Sequence, residues 1–257
     1  MPELNLQLVD PDSGDVLPQP ELSDDDALAL LERAEITTAE LVPWGSNHTF
    51  AVALETDDVP GHLAIYKPVL GERPLWDFRH GSLYARERAS YLLSRSLGWE
   101  LIPTTVVREG PYGLGSVQIY VPSNPDVFED AEFWGARTLE NERLVLFDHI
   151  ANNADRKITH CLLSTSGRVV GIDHGLTFHA EPKLRTVMWQ FVGQPIRHEL
   201  LADLDALLGR RDEIDALLAD LLVPEEIAAL WNRVEMLRVS GTYPQLDPRF
   251  NIPYGWW

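Results

Sequence analysis

The hydrophobic pattern of this chain changes from a strand-rich half to a helical half near residues 121–125, Val-Pro-Ser-Asn-Pro. Before this point, short apolar runs alternate with turns, and a helix is predicted between them at about residues 82–97. After it, helical spacing dominates. Strands followed by helices in this segregated order predict an α+β fold with two lobes. We predict a strand-rich N-lobe over residues 1–121 and a helical C-lobe over residues 122–257.

Local signals predict the individual elements. Ser23 followed by three aspartates is typical of a helix N-cap, and this helix is predicted to run to about Glu35. Residues 1–20, which are rich in proline, are predicted to be irregular. Strands are predicted at residues 49–54, 62–67, 104–108, 115–121, 160–163 and 168–172. Further helices are predicted at residues 138–151, 200–208, 214–222 and 225–237.

The charge and the cysteine count exclude several classes of function. The 257 residues include 40 acidic and 21 basic side chains, which give a net charge of −19. Because such a charge repels nucleic acids and anionic lipid surfaces, we expect no nucleic-acid partner and no stable membrane anchoring. The single cysteine, Cys161, excludes an intrachain disulfide and a cysteine-based zinc site. Without a signal-peptide pattern or an apolar run of the ~20 residues that span a bilayer, we expect a cytoplasmic protein.

A polar loop at residues 152–160, between a predicted helix and a predicted strand, carries chemically useful groups. Asp155 and His160 are five residues apart, which is the spacing of the base and the second metal ligand in the catalytic loop of protein kinases. Lys157 could place an ammonium group on a transferring phosphoryl group. After the next predicted hairpin, Asp173 precedes His174-Gly175 and occupies the place of the metal-binding carboxylate. This order indicates phosphoryl transfer from ATP with Mg²⁺ or Mn²⁺.

The strand-rich half contains candidates for binding the nucleotide. Lys67 ends a predicted strand, where a lysine could reach the α- and β-phosphates. Glu87 lies in the following helix and could form an ion pair with Lys67. Ser46, in the segment Gly45–Phe50, could cover the phosphates together with backbone N–H groups.

These pieces, in this order, resemble the phosphoinositide 3-/4-kinase superfamily, and within it the type II phosphatidylinositol 4-kinases and their bacterial relatives. A small group of uncharacterised actinobacterial proteins with this kinase domain is similar too. The resemblance implies a kinase-like two-lobed fold with ATP in the cleft and adenine against the hinge at Gln118–Val121. The segments that carry it are residues 45–50, 66–68, 72–74, 98–107, 115–121, 153–156 and 172–178.

The chain departs from this family at two places. His160 stands where the family usually has asparagine, and an imidazole suits Mn²⁺ better than Mg²⁺. In residues 177–195 the only cations are Lys183 and Arg185, whereas lipid kinases that grip inositol phosphates need more positive charge there. We therefore favour a protein or small-molecule hydroxyl as the acceptor, with phosphatidylinositol as the alternative.

Two rival functions stay open at this level. The first is a catalytically weak kinase fold that senses nucleotide or serves as an interaction module. The second is a metal-dependent hydrolase, because histidines are the commonest transition-metal ligands. Its candidate ligands would be His149, Asp155, His160, Asp173, His174 and His179.

Overall fold

The computed structural model describes residues 6–9, 16–43, 47–56, 61–127 and 130–254. In these parts of the chain, the strands are β1 (Leu8–Val9), β2 (Val16–Leu17), β3 (Glu35–Leu41), β4 (Phe50–Glu55), β5 (His62–Pro68), β6 (Thr105–Gly110), β7 (Gly113–Ile119), β8 (Cys161–Leu163) and β9 (Val169–Gly171). The helices are α1 (Asp24–Arg33), α2 (Leu83–Ser96), α3 (Ala131–Gly135), α4 (Leu139–Ala151), α5 (His198–Leu208), α6 (Arg211–Leu218) and α7 (Pro224–Ser240).

Five of the strands form one antiparallel sheet in the order β3-β4-β5-β7-β6. Helix α1 covers one face of this sheet. It begins at Ser23, whose hydroxyl accepts the Asp26 N–H at 3.2 Å, and its buried residues Leu30 and Leu31 join the core of the sheet. Helix α2 packs near β6 and β7, so α1 and α2 both lie against the sheet.

The remaining helices form a second, larger core around α4. This helix begins at the N-cap Thr138 and ends at Asn152, which adopts a left-handed conformation with φ +53°. It is buried on nearly all sides, and the short β8–β9 hairpin and helix α7 pack against it. A strand-rich sheet followed by a helical body confirms the predicted α+β class of fold.

The predicted elements agree with the structure where the local signal is strong. The predicted strands that form β4 to β9 and the predicted helices α1, α2 and α4 to α7 are confirmed within a few residues. The prediction that residues 1–20 are irregular was wrong in part, because Leu8–Val9 pairs with Val16–Leu17. Strand β3 was missed because its sequence, Glu-Ile-Thr-Thr-Ala-Glu-Leu, is mostly exposed at the edge of the sheet and has no clear apolar alternation. Among the described residues, no helix is both long and apolar enough to cross a membrane.

The segment before α1 is bound to the β8–β9 turn through Glu21. Its carboxylate accepts the Ser166 N–H at 2.9 Å, the Ser166 hydroxyl at 2.8 Å and Arg168 Nη2 at 2.9 Å. Burial opposes the charge, but Arg168 and Ser166 together lower the pKa of Glu21 from about 4.5 to about 2. Glu21 therefore attaches the segment directly before α1 to the β8–β9 turn.

Glu21→Gln should lower stability in a pH-dependent way. Because the folded-state pKa lies below the unfolded one, the charge of Glu21 stabilises the fold above pH ~4.5, and this stabilisation is lost as pH falls toward ~2. Allowing for solvent screening, we expect a loss of about 1–2 kcal/mol at pH 7 and only a small part of it near pH 2. Urea unfolding at both pH values measures it. Glu40→Gln, at an exposed position of β3, is the control, and an equal loss at both pH values would contradict the prediction.

Candidate active site

Successive side chains of a strand face opposite sides of the sheet. Lys67, which follows Tyr66 in β5, therefore points to the face opposite to that of Tyr66. Tyr66 is fully buried on the side that α1 covers. On the other side, Lys67 Nζ lies 2.5 Å from Glu87 Oε1 and 2.8 Å from Asp173 Oδ1. Burial disfavours the ammonium, but Asp173 and Glu87 outweigh it and raise the pKa of Lys67 above its ordinary range. One lysine thus joins two carboxylates that are far apart in the sequence.

Glu87 is buried in α2 and contacts both Lys67 and the segment that follows β9. Its Oε1 contacts Lys67, and its Oε2 accepts the backbone N–H of His174 at 3.0 Å. The helix is therefore connected both to β5 and to the segment that follows β9. Protein kinases need this strand-lysine to helix-glutamate ion pair for catalysis.

Asp173 follows β9 in a left-handed backbone conformation, with φ +59°. Non-glycine residues seldom adopt this conformation, and aspartate and asparagine tolerate it best. The side chain is 49% exposed although Lys67 touches it, and the charge of Lys67 lowers its pKa well below the ordinary range. The turn thus presents an ionised carboxylate to an open side of the structure.

His160 faces Asp173 from the end of the polar loop. Its Nδ1 lies 2.9 Å from the Asp155 carbonyl oxygen, so Nδ1 carries the proton and Nε2 has the lone pair. Burial lowers the pKa of His160 to about 4, which leaves the ring neutral at pH 7. Nε2 lies 3.3 Å from Asp173 Oδ2. Two acceptor atoms face each other, an arrangement that a cation beside them would stabilise.

Asp173 and His160 fit a divalent cation shared with a nucleotide. Among the described residues, no three His, Cys, Asp or Glu side chains are grouped closely enough to hold a metal on their own. Mg²⁺ in nucleotide sites keeps several waters and is bound by one or two carboxylates together with substrate phosphates. A carboxylate and a neutral imidazole nitrogen meet that requirement, and the imidazole suits Mn²⁺.

Asp155 and Lys157 lie on the same loop and contact each other. Lys157 Nζ is 2.8 Å from Asp155 Oδ2, and the Asp155 N–H donates to Asn153 Oδ1 at 2.9 Å. Burial raises the pKa of Asp155, and Lys157 only partly opposes this effect. A carboxylate whose pKa is shifted toward neutrality is a better acceptor of a hydroxyl proton than an ordinary surface aspartate.

The predicted nucleotide-binding residues outside this cluster have different surroundings. Gln118 is buried in β7, and its amide donates to Thr105 Oγ1 at 2.8 Å on the neighbouring strand. Val121 is buried just after β7. No hydrogen bond or ion pair among the described residues joins either side chain to the cluster around Lys67. Ser46 lies outside the described residues.

No role was predicted from the sequence for two residues that contact the site segments, Asp148 and Arg156. Both are buried, and Arg156 Nε donates to Asp148 Oδ2 at 2.7 Å. A signal existed, because Asp148 interrupts the apolar stretch of α4 directly before the polar loop at residues 152–160. A charge in the interior of a buried helix needs a partner.

The hydrolase ligands proposed from the sequence do not all meet. His149 is buried beside Tyr243, with ring centroids 5.5 Å apart. His179 Nε2 lies 2.8 Å from the Asp77 carbonyl oxygen. Both imidazoles are used within the fold.

Comparison with solved structures identifies the class of fold. Hydra Fam20, solved with sugar, superposes with a TM-score of 0.59 and 15% identity over 85% of this chain and 88% of its own. A Golgi casein kinase gives a TM-score of 0.52 and 12% identity over 87% of this chain and 79% of its own. A structure of the Golgi casein kinase with Mn/ADP bound gives a TM-score of 0.52 and 13% identity over 88% and 80%. The chain has a protein-kinase-like fold.

Sequence comparison identifies the family. No family model matches the chain. Protein Rv2133c of Mycobacterium tuberculosis (strain ATCC 25618 / H37Rv) is 34% identical, over 90% of this chain and 95% of its own length. The chain belongs to the family of Rv2133c.

Proposed function

We propose that this protein is an ATP-dependent phosphotransferase whose acceptor is a hydroxyl group of a protein or a small molecule. The observation that carries the proposal is the double contact of Lys67 with Glu87 and Asp173, while His160 faces the other oxygen of Asp173. Phosphoryl transfer requires a phosphate-binding lysine held by a helix glutamate next to a metal-binding carboxylate. The division into lobes at residues 121 and 122 is part of this proposal.

Each group then has one role. Lys67 and Lys157 neutralise phosphate oxygens, and Glu87 keeps Lys67 oriented. Asp155 accepts a hydrogen bond from the acceptor hydroxyl and orients it toward the γ-phosphate. Asp173 and His160 would hold Mg²⁺ or Mn²⁺, which when bound supplies positive charge to the phosphates.

The remaining nucleotide contacts come from the sequence and the family resemblance. Gln118 and Val121 lie on the segment against which adenine would rest, and Ser46 would cover the phosphates. The fold shared with the Golgi casein kinase, whose structure holds Mn/ADP, supports a nucleotide and a divalent cation as ligands.

The contacts of the two cations in residues 177–195 support a protein or small-molecule acceptor over a lipid. Lys183 is paired with Asp77 at 3.1 Å, and the Arg185 guanidinium lies over the Tyr254 ring at 4.6 Å. The two cations of residues 177–195 therefore already contact groups of the chain. The alternative, a phosphatidylinositol kinase like the type II enzymes, would need them for the inositol phosphate.

Labelled ATP tests the proposal directly. The protein is incubated with Mg²⁺ or Mn²⁺ and separate protein, metabolite and phosphatidylinositol-vesicle pools. We expect label in a protein or metabolite. A labelled lipid as the main product would overturn the acceptor class, and ATP binding without any labelled product would overturn the activity.

A nucleotide-binding module with little turnover is the second candidate. The ion pair between Lys157 and Asp155 favours it, because a carboxylate engaged by an ammonium group is less available to an acceptor hydroxyl. Nucleotide-induced stabilisation in a thermal melt, without product in the labelling assay, would select this function.

His160→Asn should shift the metal preference toward Mg²⁺. An amide oxygen replaces an imidazole nitrogen, and Mg²⁺ favours oxygen ligands. We expect the ratio of turnover with Mn²⁺ to turnover with Mg²⁺ to fall by roughly tenfold, a size typical of changes around a metal ligand. His179→Asn is the control, because its imidazole contacts Asp77 instead. An unchanged ratio would remove His160 from the metal ligands.

A further inference from the structure

Arg156 follows Asp155 directly, and its guanidinium is completely buried, with 0% of the side chain exposed. Asp148 on α4 neutralises it through two bonds, from Nε to Oδ2 at 2.7 Å and from Nη2 to Oδ1 at 2.9 Å. A fork-shaped guanidinium and a carboxylate form this two-bonded pair with a defined orientation. The pair is thus anchored to the most buried helix of the C-lobe.

The remaining donors of Arg156 all bind the two segments that carry the site. Nη1 donates to the carbonyl oxygens of His160 at 2.8 Å and Ile172 at 3.2 Å. Nη2 lies 2.7 Å from His174 Nε2. Because arginine only donates, this imidazole nitrogen accepts the bond. The guanidinium therefore contacts the residues immediately before and after Asp173.

Asp148 extends the same network to the catalytic carboxylate. Its Oδ1 accepts the Asn153 amide at 2.8 Å, and Asn153 Oδ1 accepts the Asp155 N–H at 2.9 Å. The pair is thus connected to three residues of the site. It reaches Asp155 through its backbone N–H, His160 through its carbonyl oxygen, and Asp173 through the two residues beside it. Every N–H of a buried guanidinium needs an acceptor, and here the acceptors other than Asp148 all lie on the two segments that carry the site. Buried ion pairs are by themselves weak evidence for stability.

We propose that Asp148 and Arg156 are a positioning pair that sets the separation of His160 and Asp173 and the orientation of Asp155. The proposal rests on the proposed phosphotransferase function. Its physical basis is the rigid geometry of the guanidinium, which holds two carbonyl groups and one imidazole in fixed relation to a carboxylate on a buried helix. The pair itself touches neither nucleotide nor acceptor in this arrangement.

Two variants separate positioning from stability. Arg156→Lys keeps the positive charge but loses the fork. The double variant Asp148→Leu with Arg156→Met removes both charges, a replacement that buried pairs often tolerate without unfolding. Glu142→Gln is the matched control: Glu142 is also buried on α4 and also pairs with arginines, Arg137 and Arg197, but these do not bind the site segments.

The kinetic readout is kcat against KM for ATP in folded protein. We expect both variants to lose about 10- to 100-fold in kcat, as supporting residues of catalytic and metal sites do, with little change in KM because Lys67 and Glu87 are untouched. Glu142→Gln should keep its kcat even where its melting temperature falls. A wild-type kcat in both folded variants would overturn the positioning role.

A second readout does not depend on activity. In nucleotide-free protein, nitrogen NMR of His160 should show the Nδ1-protonated tautomer in the wild type, and a tautomer average in the two variants once the loop is released. Glu142→Gln should give the wild-type spectrum. If the wild type has no turnover, the proposed function fails while this spectrum still decides on the pair, and an unchanged His160 tautomer in the variants would refute it.

Discussion

Replacing Asp173 by asparagine should nearly abolish metal-dependent ATP turnover while the protein stays folded. The amide removes the charge that faces both Lys67 and His160, and with it the carboxylate that would bind the divalent cation. A metal acting on phosphoryl oxygens contributes several kcal/mol, so we expect a loss of roughly 10³-fold in kcat/KM, or about 4 kcal/mol. Steady-state kinetics with labelled ATP in Mg²⁺ and in Mn²⁺ measures it.

The backbone makes this a clean substitution. Asp173 has φ +59°, and asparagine tolerates this conformation as well as aspartate does. Lys67 keeps Glu87 as a partner, so the fold should lose little stability. Asp247→Asn, at a carboxylate paired with Arg249 in the C-terminal segment, is the control for a lost charge. Turnover near the wild-type rate in folded Asp173→Asn protein would remove Asp173 from the metal-binding role.

Lys67→Met should weaken ATP binding and turnover together. Methionine has a similar length but no charge, and none of the other lysines in the described structure contacts Glu87 or Asp173. Because the lysine contacts the phosphates in the bound state and stabilises their charge more strongly in the transition state, we expect roughly a tenfold higher Kd and at least a ~100-fold lower kcat. Calorimetric titration with a nucleotide analogue and the labelling assay give the two values.

Lys67→Met also leaves the buried carboxylate of Glu87 without a cation, which destabilises the fold. This effect on stability needs a separate control. We expect the free energy of unfolding to fall by about 1–3 kcal/mol. The double variant Lys67→Met with Glu87→Gln removes this charge and should regain stability but not turnover. Lys183→Met, which breaks an ion pair with Asp77, should leave ATP affinity unchanged. A Lys67→Met protein with wild-type affinity and rate would make Lys67 an ordinary structural residue.

Much of the candidate site could be predicted from local sequence. The five-residue spacing of Asp155 and His160, and a carboxylate directly after an apolar strand, are properties of short segments. Their order along the chain indicated that Lys67, Glu87 and Asp173 belong to one site. The structure brings Lys67, Glu87, Asp173 and His160 into direct contact, and Asp155 joins them through its carbonyl bond to His160.

Other parts of the site could not be predicted in this way. Arg156 was assigned only to a motif, because nothing in a linear sequence shows which carbonyl groups a guanidinium will reach. Asp148 was treated as part of an ordinary helix, although α4 buries it completely against Arg156. The assignment of Gln118 to the segment against adenine stays a prediction, but the sequence did not show that its side chain binds Thr105 across the sheet.

The sequence by itself determined the elements whose signals are local: the capped helix α1, the hairpin of β4 and β5, the helices α4 to α7, and the residue types needed for phosphoryl transfer. Apolar periodicity and helix capping depend on residues that are close in the sequence, so both can be recognised from a single sequence. Only the tertiary structure decided which charges meet. Residues 67, 87, 160 and 173 lie on different elements, and their pKa values and protonation depend on burial and on partners that packing alone brings within bonding distance.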